Sequence, residues 1–182
     1  YRKPLVIMTP KSLLRHKLAT SNKKEFLKGS SFHRVLWDDA QLGNSPNKLL
    51  PDEKIKKIIL CSGKVYFDIL QERDARKINN IYIMRVEQFY PFPTKSLTKE
   101  LRRFKNASVC WCQEEPKNQG AWSFMEPNVE RILSQIDIKP SRASYAGRSA
   151  SASPATGLAT QHKSQQEKLI FEALNLSGGD NG

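Results

Sequence analysis

The run Ile58-Ile59-Leu60-Cys61-Ser62-Gly63-Lys64 decides the fold. Four apolar residues in unbroken succession are the pattern of a strand covered on both faces, as in a parallel sheet lined by helices. Ser62-Gly63 then turns the chain, and residues 64–77 carry Val65, Ile69 and Leu70 at helical spacing. The same alternation is read on either side. Strands are expected at 5–9, 55–62, 81–87 and 108–113, and helices at 11–19, 64–77, 94–104 and 121–136. Pro93-Thr94 supplies a helix-start signal. Strand following helix following strand predicts an α/β fold: three layers, a mostly parallel sheet and right-handed crossovers. Residues 32–37 are read as a short extra strand at an edge, and 43–52 as a polar loop holding Pro46 and Pro51.

Beyond Ile138 the character changes. Residues 141–160 are mostly Ser, Ala, Thr and Gly with Arg142, Tyr145 and Arg148 set among them, a composition that by itself predicts a flexible linker. Residues 161–176 then read as a helix with Leu169, Ile170, Ala173 and Leu174 on its apolar face. The expected organisation is therefore an α/β domain over 1–140, a Ser/Ala-rich surface arm over 141–160, a docking helix over 161–176 and a disordered tail over 177–182.

With 182 residues, 38% of them hydrophobic, the chain has length for one substantial core plus polar extensions. No apolar run approaches the roughly 20 residues that span a bilayer. The chain opens at Tyr1 directly into an expected strand and is read as the downstream part of a longer protein. Three cysteines do not suggest a secreted disulfide framework, and the lone C-x-C of Cys110 and Cys112 is a poor metal pair, so no metal site is expected. The net charge is +12, with nine Lys or Arg against the single Glu25 from Tyr1 to Arg34. Such a field favours anionic partners, although scattered lysines more often serve as a solvated surface.

Candidate sites cluster at expected strand ends, where ligands of open α/β sheets gather. Gly63-Lys64 joins a buried strand to a helix start, whose free N–H groups and dipole favour anions. Thr9 closes the first expected strand ahead of Pro10 and Ser12. The stretch Cys112 to Trp122 concentrates Gln113, Glu114, Glu115, Asn118, Gln119, Gly120 and Ala121 between a strand and a helix. Glu114 and Glu115 are neighbours in extended chain and point to opposite faces, so they are not an acid/base pair. The amides of Gln113, Asn118 and Gln119 suit fixing a loop or pairing with another subunit. His16, His33 and His162 are isolated, and no self-sufficient catalytic constellation is present.

Five strings, in order, carry a family resemblance: Ile7-Met8-Thr9-Pro10-Lys11-Ser12-Leu13-Leu14-Arg15-His16; Leu60-Cys61-Ser62-Gly63-Lys64-Val65-Tyr66; Arg85-Val86-Glu87-Gln88-Phe89-Tyr90-Pro91-Phe92-Pro93; Trp111 through Trp122; and Tyr145-Ala146-Gly147-Arg148 with Ser151-Ala152-Ser153-Pro154-Ala155-Thr156-Gly157. Together, over roughly residues 2–175, they resemble the C-terminal part of the decarboxylating first component of 2-oxoglutarate dehydrogenase complexes.

That resemblance implies a transketolase-type C-terminal domain of a homodimeric enzyme. The whole protein would use thiamine diphosphate and Mg, bound outside this stretch, to decarboxylate 2-oxoglutarate. It would pass a succinyl group to the lipoyl-bearing succinyltransferase component, in a bacterial cytoplasm or a mitochondrial matrix. No catalytic residue is carried over. The resemblance does imply dimer assembly and a regulatory pocket for acetyl-CoA or AMP, at Thr9, Lys64, Gln113, Gly120 and Ala121. Three positions depart from the family: Ser149 and Lys17 stand where Pro is frequent, and Phe67 where Tyr is common. The rival expectations are a basic nucleic-acid-binding module and a stand-alone nucleotide-binding domain. The aromatics sit at core-like positions instead of interleaving with cations, and no G-x-G-x-x-G turn occurs.

Overall fold

The structure, a computed structural model, describes residues 2–136, 138 and 140–176. The chain divides into two compact units, Tyr1–Phe32 and His33–Gly182. The larger one is built on a five-stranded sheet. Its strands are β1 (Val35–Leu36), β2 (Lys57–Cys61), β3 (Ile81–Val86), β4 (Ser108–Pro116) and β5 (Ser144–Arg148), in the order β1-β3-β2-β4-β5. Three pairings, β2 with β3, β2 with β4 and β4 with β5, are parallel, and only the short edge strand β1 runs antiparallel, to β3. Four helices complete it: α1 (Val65–Ala75), α2 (Thr94–Leu101), α3 (Trp122–Gln135) and α4 (Ala159–Ala173). This is the three-layer α/β architecture expected.

Alternation along the strands sorts the core into two layers. Ile58, Leu60, Tyr82, Met84, Val109 and Trp111 pack in one cluster with Leu97 and Leu101 of α2 and with Met125, Val129, Ile132 and Leu133 of α3. The intervening residues Ile59, Cys61, Ile83, Cys110 and Cys112, all buried, lie outside that cluster. They belong to the face that α1 and α4 cover, where Ile69, Leu70, Leu169, Ile170 and Ala173 are buried. All three cysteines are free thiols in the core, and burial pushes each thiol up from its ordinary range.

Two buried cations tie the layers to the sheet. Arg73 of α1 and Asp38, after β1, are both fully buried and form a two-pronged pair; Arg73 Nη2 donates to Asp38 Oδ1 at 2.9 Å and Nη1 to Oδ2. Asp38 also accepts from the backbone N–H of Ile83 at 2.7 Å and of Ala40 at 2.9 Å. Lys57 is 5% exposed, and its Nζ donates to Glu172 O at 3.2 Å and Asn175 Oδ1 at 2.6 Å. A cation thus meets the carbonyl end of α4, where the helix dipole is negative. Burial lowers the Lys57 pKa.

The structure corrects two expectations in residues 2–32 and one beyond. Residues 5–9 are not a strand, because no neighbouring strand pairs with them; Leu5, Val6, Ile7 and Met8 are 73–91% exposed. The helix expected at 11–19 shrinks to a 3-10 turn at Lys11–Leu13, whose N-cap position is held by Pro10 with no side-chain cap. A second 3-10 turn, Lys23–Phe26, begins with a capping box in which Asn22 Oδ1 accepts from the Lys24 N–H at 3.0 Å and Glu25 Oε1 from the Asn22 N–H at 2.8 Å. Within the expected arm at 141–160, residues 144–148 are β5 and not linker, paired in parallel with β4. The tail expected to be disordered at 177–182 lies outside the described residues.

Candidate functional site

At the carboxyl end of β2 the chain turns through Gly63, whose φ of +72° is the left-handed region that glycine enters without strain. Lys64 follows, immediately ahead of α1. Its Nζ donates to Asp68 Oδ2 at 2.7 Å, one helical turn on, and reaches Glu114 Oε1 of β4 at 3.4 Å. From α4, Gln166 Nε2 donates to the same two oxygens, at 2.9 and 3.1 Å. Arg148 Nη2, from β5, lies 2.9 Å from His162 Nδ1 and 3.4 Å from Gln166 Oε1. Its Nε is buried with no hydrogen-bond partner among the described residues. Burial lowers the Lys64 pKa, but the hydrogen bond to Asp68 and the charge of Glu114 outweigh it, and the net shift is upward. Lys64, Asp68, His162 and Gln166 line an open cleft of about 340 Å³. A second cleft, of about 520 Å³, lies between residues 149–157 and α4, with Arg148, Gln161, Gln165 and Lys168 on its walls.

On β4 the alternation that brings Glu114 to Lys64 turns Gln113 to the opposite face. Gln113 is 3% exposed. Its Nε2 donates to the carbonyls of Glu115, Pro116 and Gln119 at 3.2, 3.1 and 2.7 Å. Its Oε1 accepts from Trp111 Nε1 at 2.9 Å and from the Trp122 N–H at 3.0 Å. An amide has two donors and two lone pairs, and here all are in use. Gln113 therefore fixes the loop before α3 and positions the first turn of that helix. Gly120, at φ +66°, is packed so closely that a Cβ there would stand 3.0 Å from Gln113 Nε2 and from Glu115 Cβ. Ala121 sits half-buried at the N-cap of α3.

Of the five residues singled out from sequence, the fold thus gathers Gln113 of β4, Gly120 and Ala121 around the β4–α3 loop and gives Lys64 to the other face of the same sheet. Thr9 belongs to the first unit, exposed and not in a strand. Asn118 and Gln119 hold the arm: Asn118 exchanges hydrogen bonds with the backbone of Ser151, and Gln119 Nε2 donates to Ser151 O at 3.1 Å. Sequence reading missed Asp68, Gln166 and Arg148. The spacing of Lys64 to Asp68, and of His162 to Gln166, is the helical i, i+4 that could have suggested the first two.

The sheet order, the Gly63-Lys64 turn and the Gln113-anchored loop are positioned by one continuous stretch of sequence, and residues 20–174 match the 2-oxoglutarate dehydrogenase C-terminal family. The chain belongs to that family. It is 55% identical over 175 residues to the 2-oxoglutarate dehydrogenase E1 component of Brucella anthropi, a match covering 96% of this chain and 18% of that protein. The E1 components of Brucella ovis and Brucella canis match at the same identity over 96% of the chain and 17% of their own length. The chain spans less than a fifth of the length of these relatives. Phe67, expected from the resemblance to stand where Tyr is common, is 6% exposed. Its ring packs edge-on to Tyr66 at 5.3 Å and lies 5.6 Å from the Arg85 guanidinium. Position 67 thus faces the core, where a hydroxyl would need a buried partner. Ser149 is exposed on the arm and Lys17 in the first unit. Among the described residues no group of three or more His, Cys, Asp or Glu is arranged to hold a metal ion, and no helix is long and apolar enough to cross a membrane.

Proposed function

We propose that this chain is the C-terminal domain of a 2-oxoglutarate dehydrogenase E1 component. The whole protein decarboxylates 2-oxoglutarate and hands a succinyl group to the lipoyl-bearing component of its complex. The observation that carries this reading is the family match over residues 20–174, joined to relatives named 2-oxoglutarate dehydrogenase E1 component. Thiamine diphosphate and Mg are assigned, as the family resemblance implies, to other parts of the whole protein. Thiamine diphosphate supplies the carbanion chemistry there. This domain's own contribution is assembly of the homodimer and sensing of an effector.

The effector reading rests on the cleft beside Lys64. An acidic ligand such as the phosphate of acetyl-CoA or AMP would meet a cation at a helix start, which the dipole also favours. To bind, it must draw Lys64 from Asp68 and Glu114, so occupancy would be felt by α4 through Gln166. Gln113, Gly120 and Ala121 act in this reading by holding the β4–α3 loop, and Thr9 is the fifth residue of the set. In the whole protein, Lys64→Ala is expected to weaken acetyl-CoA or AMP binding about tenfold or more, measured by calorimetry, with 2-oxoglutarate decarboxylation retained. Unchanged affinity removes Lys64 from the site. Thr9→Ala measured in the same way decides whether Thr9 belongs to it.

A further inference from the structure

None of the described residues between 2 and 32 is buried, yet the segment holds the most exposed apolar run among the described residues: Leu5 82%, Val6 82%, Ile7 73% and Met8 91%. Water contact over four consecutive large side chains is costly, and a patch of this kind marks a surface that is covered in the working protein. We propose that Leu5–Met8 is an unpaired strand which completes a second sheet, built by another part of the longer polypeptide. The proposal rests on the reading of this chain as part of an E1 component.

Four observations choose this occupant. The run is flanked by Pro4 and Pro10, residues that end strands because they lack a ladder N–H, and Pro10 itself is extended. The run does not alternate, so it is the pattern of a strand covered on both faces inside a helix-lined parallel sheet. The C-terminal family begins only at residue 20, while the match to the relatives takes in 175 of the 182 residues and so reaches ahead of Thr20. The matched stretch thus extends into the segment ahead of the C-terminal family, and more than four-fifths of the relatives' length lies outside the match.

A second copy of this chain fits less well. Strands paired across a twofold axis run antiparallel at a sheet edge and leave one face to water, a role suited to an alternating sequence. Self-pairing would also oppose two segments that each carry nine cations against one acid up to Arg34. The same charge implies acidic side chains around the groove that receives Leu5–Met8.

Hydrogen–deuterium exchange on the intact full-length protein tests this. The amides of Val6, Ile7 and Met8 are expected to exchange at least ~100-fold more slowly than free-peptide rates, as paired strand amides do. Exchange within about tenfold of those rates overturns the proposal. So does protection that vanishes on dilution in step with dimer dissociation, because the occupant would then be the second copy. Ile7→Asp is expected to raise exchange across the strand selectively; if that variant does not fold, the wild-type exchange data still decide. A protein active on 2-oxoglutarate with fast-exchanging Val6–Met8 amides sinks the strand and leaves the functional reading standing. Protected amides in a protein inactive on 2-oxoglutarate do the reverse.

Discussion

Two four-residue apolar runs in this chain have opposite fates. Ile58-Ile59-Leu60-Cys61 is wholly buried in β2, with β3 on one side and β4 on the other. Leu5-Val6-Ile7-Met8 is almost wholly exposed and pairs with no strand. Apolar composition is common to both. What differs is supply of neighbours: β2 has two ladder partners and two helical layers within the same unit, and residues 2–32 have none. β-propensity expresses fit to a pleated, covered surface more than an intrinsic backbone preference, and the pair of runs shows it within a single chain.

The contrast predicts where substitutions are felt. The largest effect is expected at Arg73→Ala, because it leaves the fully buried Asp38 carboxylate without its cation. Breaking such a pair costs about 3–5 kcal/mol, read as a lowered denaturant midpoint; a loss under ~1 kcal/mol would show that the N–H groups of Ile83 and Ala40 suffice to hold Asp38. Next comes Ile59→Ala in the middle of β2, where the cavity and lost burial are expected to cost about 3 kcal/mol. A cost near zero there would mean that α1 and α4 collapse onto the gap.

Much of the larger unit was legible in sequence, since its helices and its three central strands announce themselves by apolar periodicity and by the Gly63 turn. β5 was not. Its sequence Ser-Tyr-Ala-Gly-Arg buries little apolar surface, with only Ala146 fully covered, and it is held by backbone pairing to β4. Gly147 shows why small residues recur there: a Cβ would stand 2.4 Å from the Tyr145 hydroxyl and 2.9 Å from the Gln113 carbonyl. What composition presents as a linker is thus close packing of backbone on backbone. At the candidate site Lys64 was legible from its turn, but the groups that engage it were only half so. Asp68 is one helical turn away; Gln166 comes from a helix a hundred residues on, and no local pattern points to it. Leu5–Met8 misled for the converse reason, because its local signal is that of a strand and its partners lie outside the unit.

The phenol of Tyr82 gives the comparison a pH axis. Its hydroxyl donates to Gln41 Oε1 at 2.6 Å and accepts from the Asp38 N–H at 3.2 Å. Burial pushes its pKa up to about 12 from an ordinary 10. A group that holds its proton more tightly when folded contributes fully below its unfolded pKa and loses that contribution as pH climbs through the folded one. Stability of the sheet unit is therefore expected to fall between pH 10 and about 12, and Tyr82→Phe to flatten that fall. Unfolding followed by tryptophan fluorescence across this range checks it; an unaltered slope in Tyr82→Phe assigns the alkaline loss to other groups.

The smallest effect is expected at Ile7→Ala, and it is the most informative one. In the 182-residue chain Ile7 is 73% exposed, so truncating it removes little that folding had buried. Its cost should stay within about 0.5 kcal/mol, the range of surface substitutions remote from core features. The same change at Ile59, chemically identical, is expected to cost about six times as much. Equal costs at the two positions would mean that residues 2–32 bury Ile7 in solution, and the distinction between a strand with neighbours and a strand without them would collapse. A near-zero cost in this chain, set against a cost of a kilocalorie or more in the full-length protein, would locate the missing neighbours in the rest of the polypeptide.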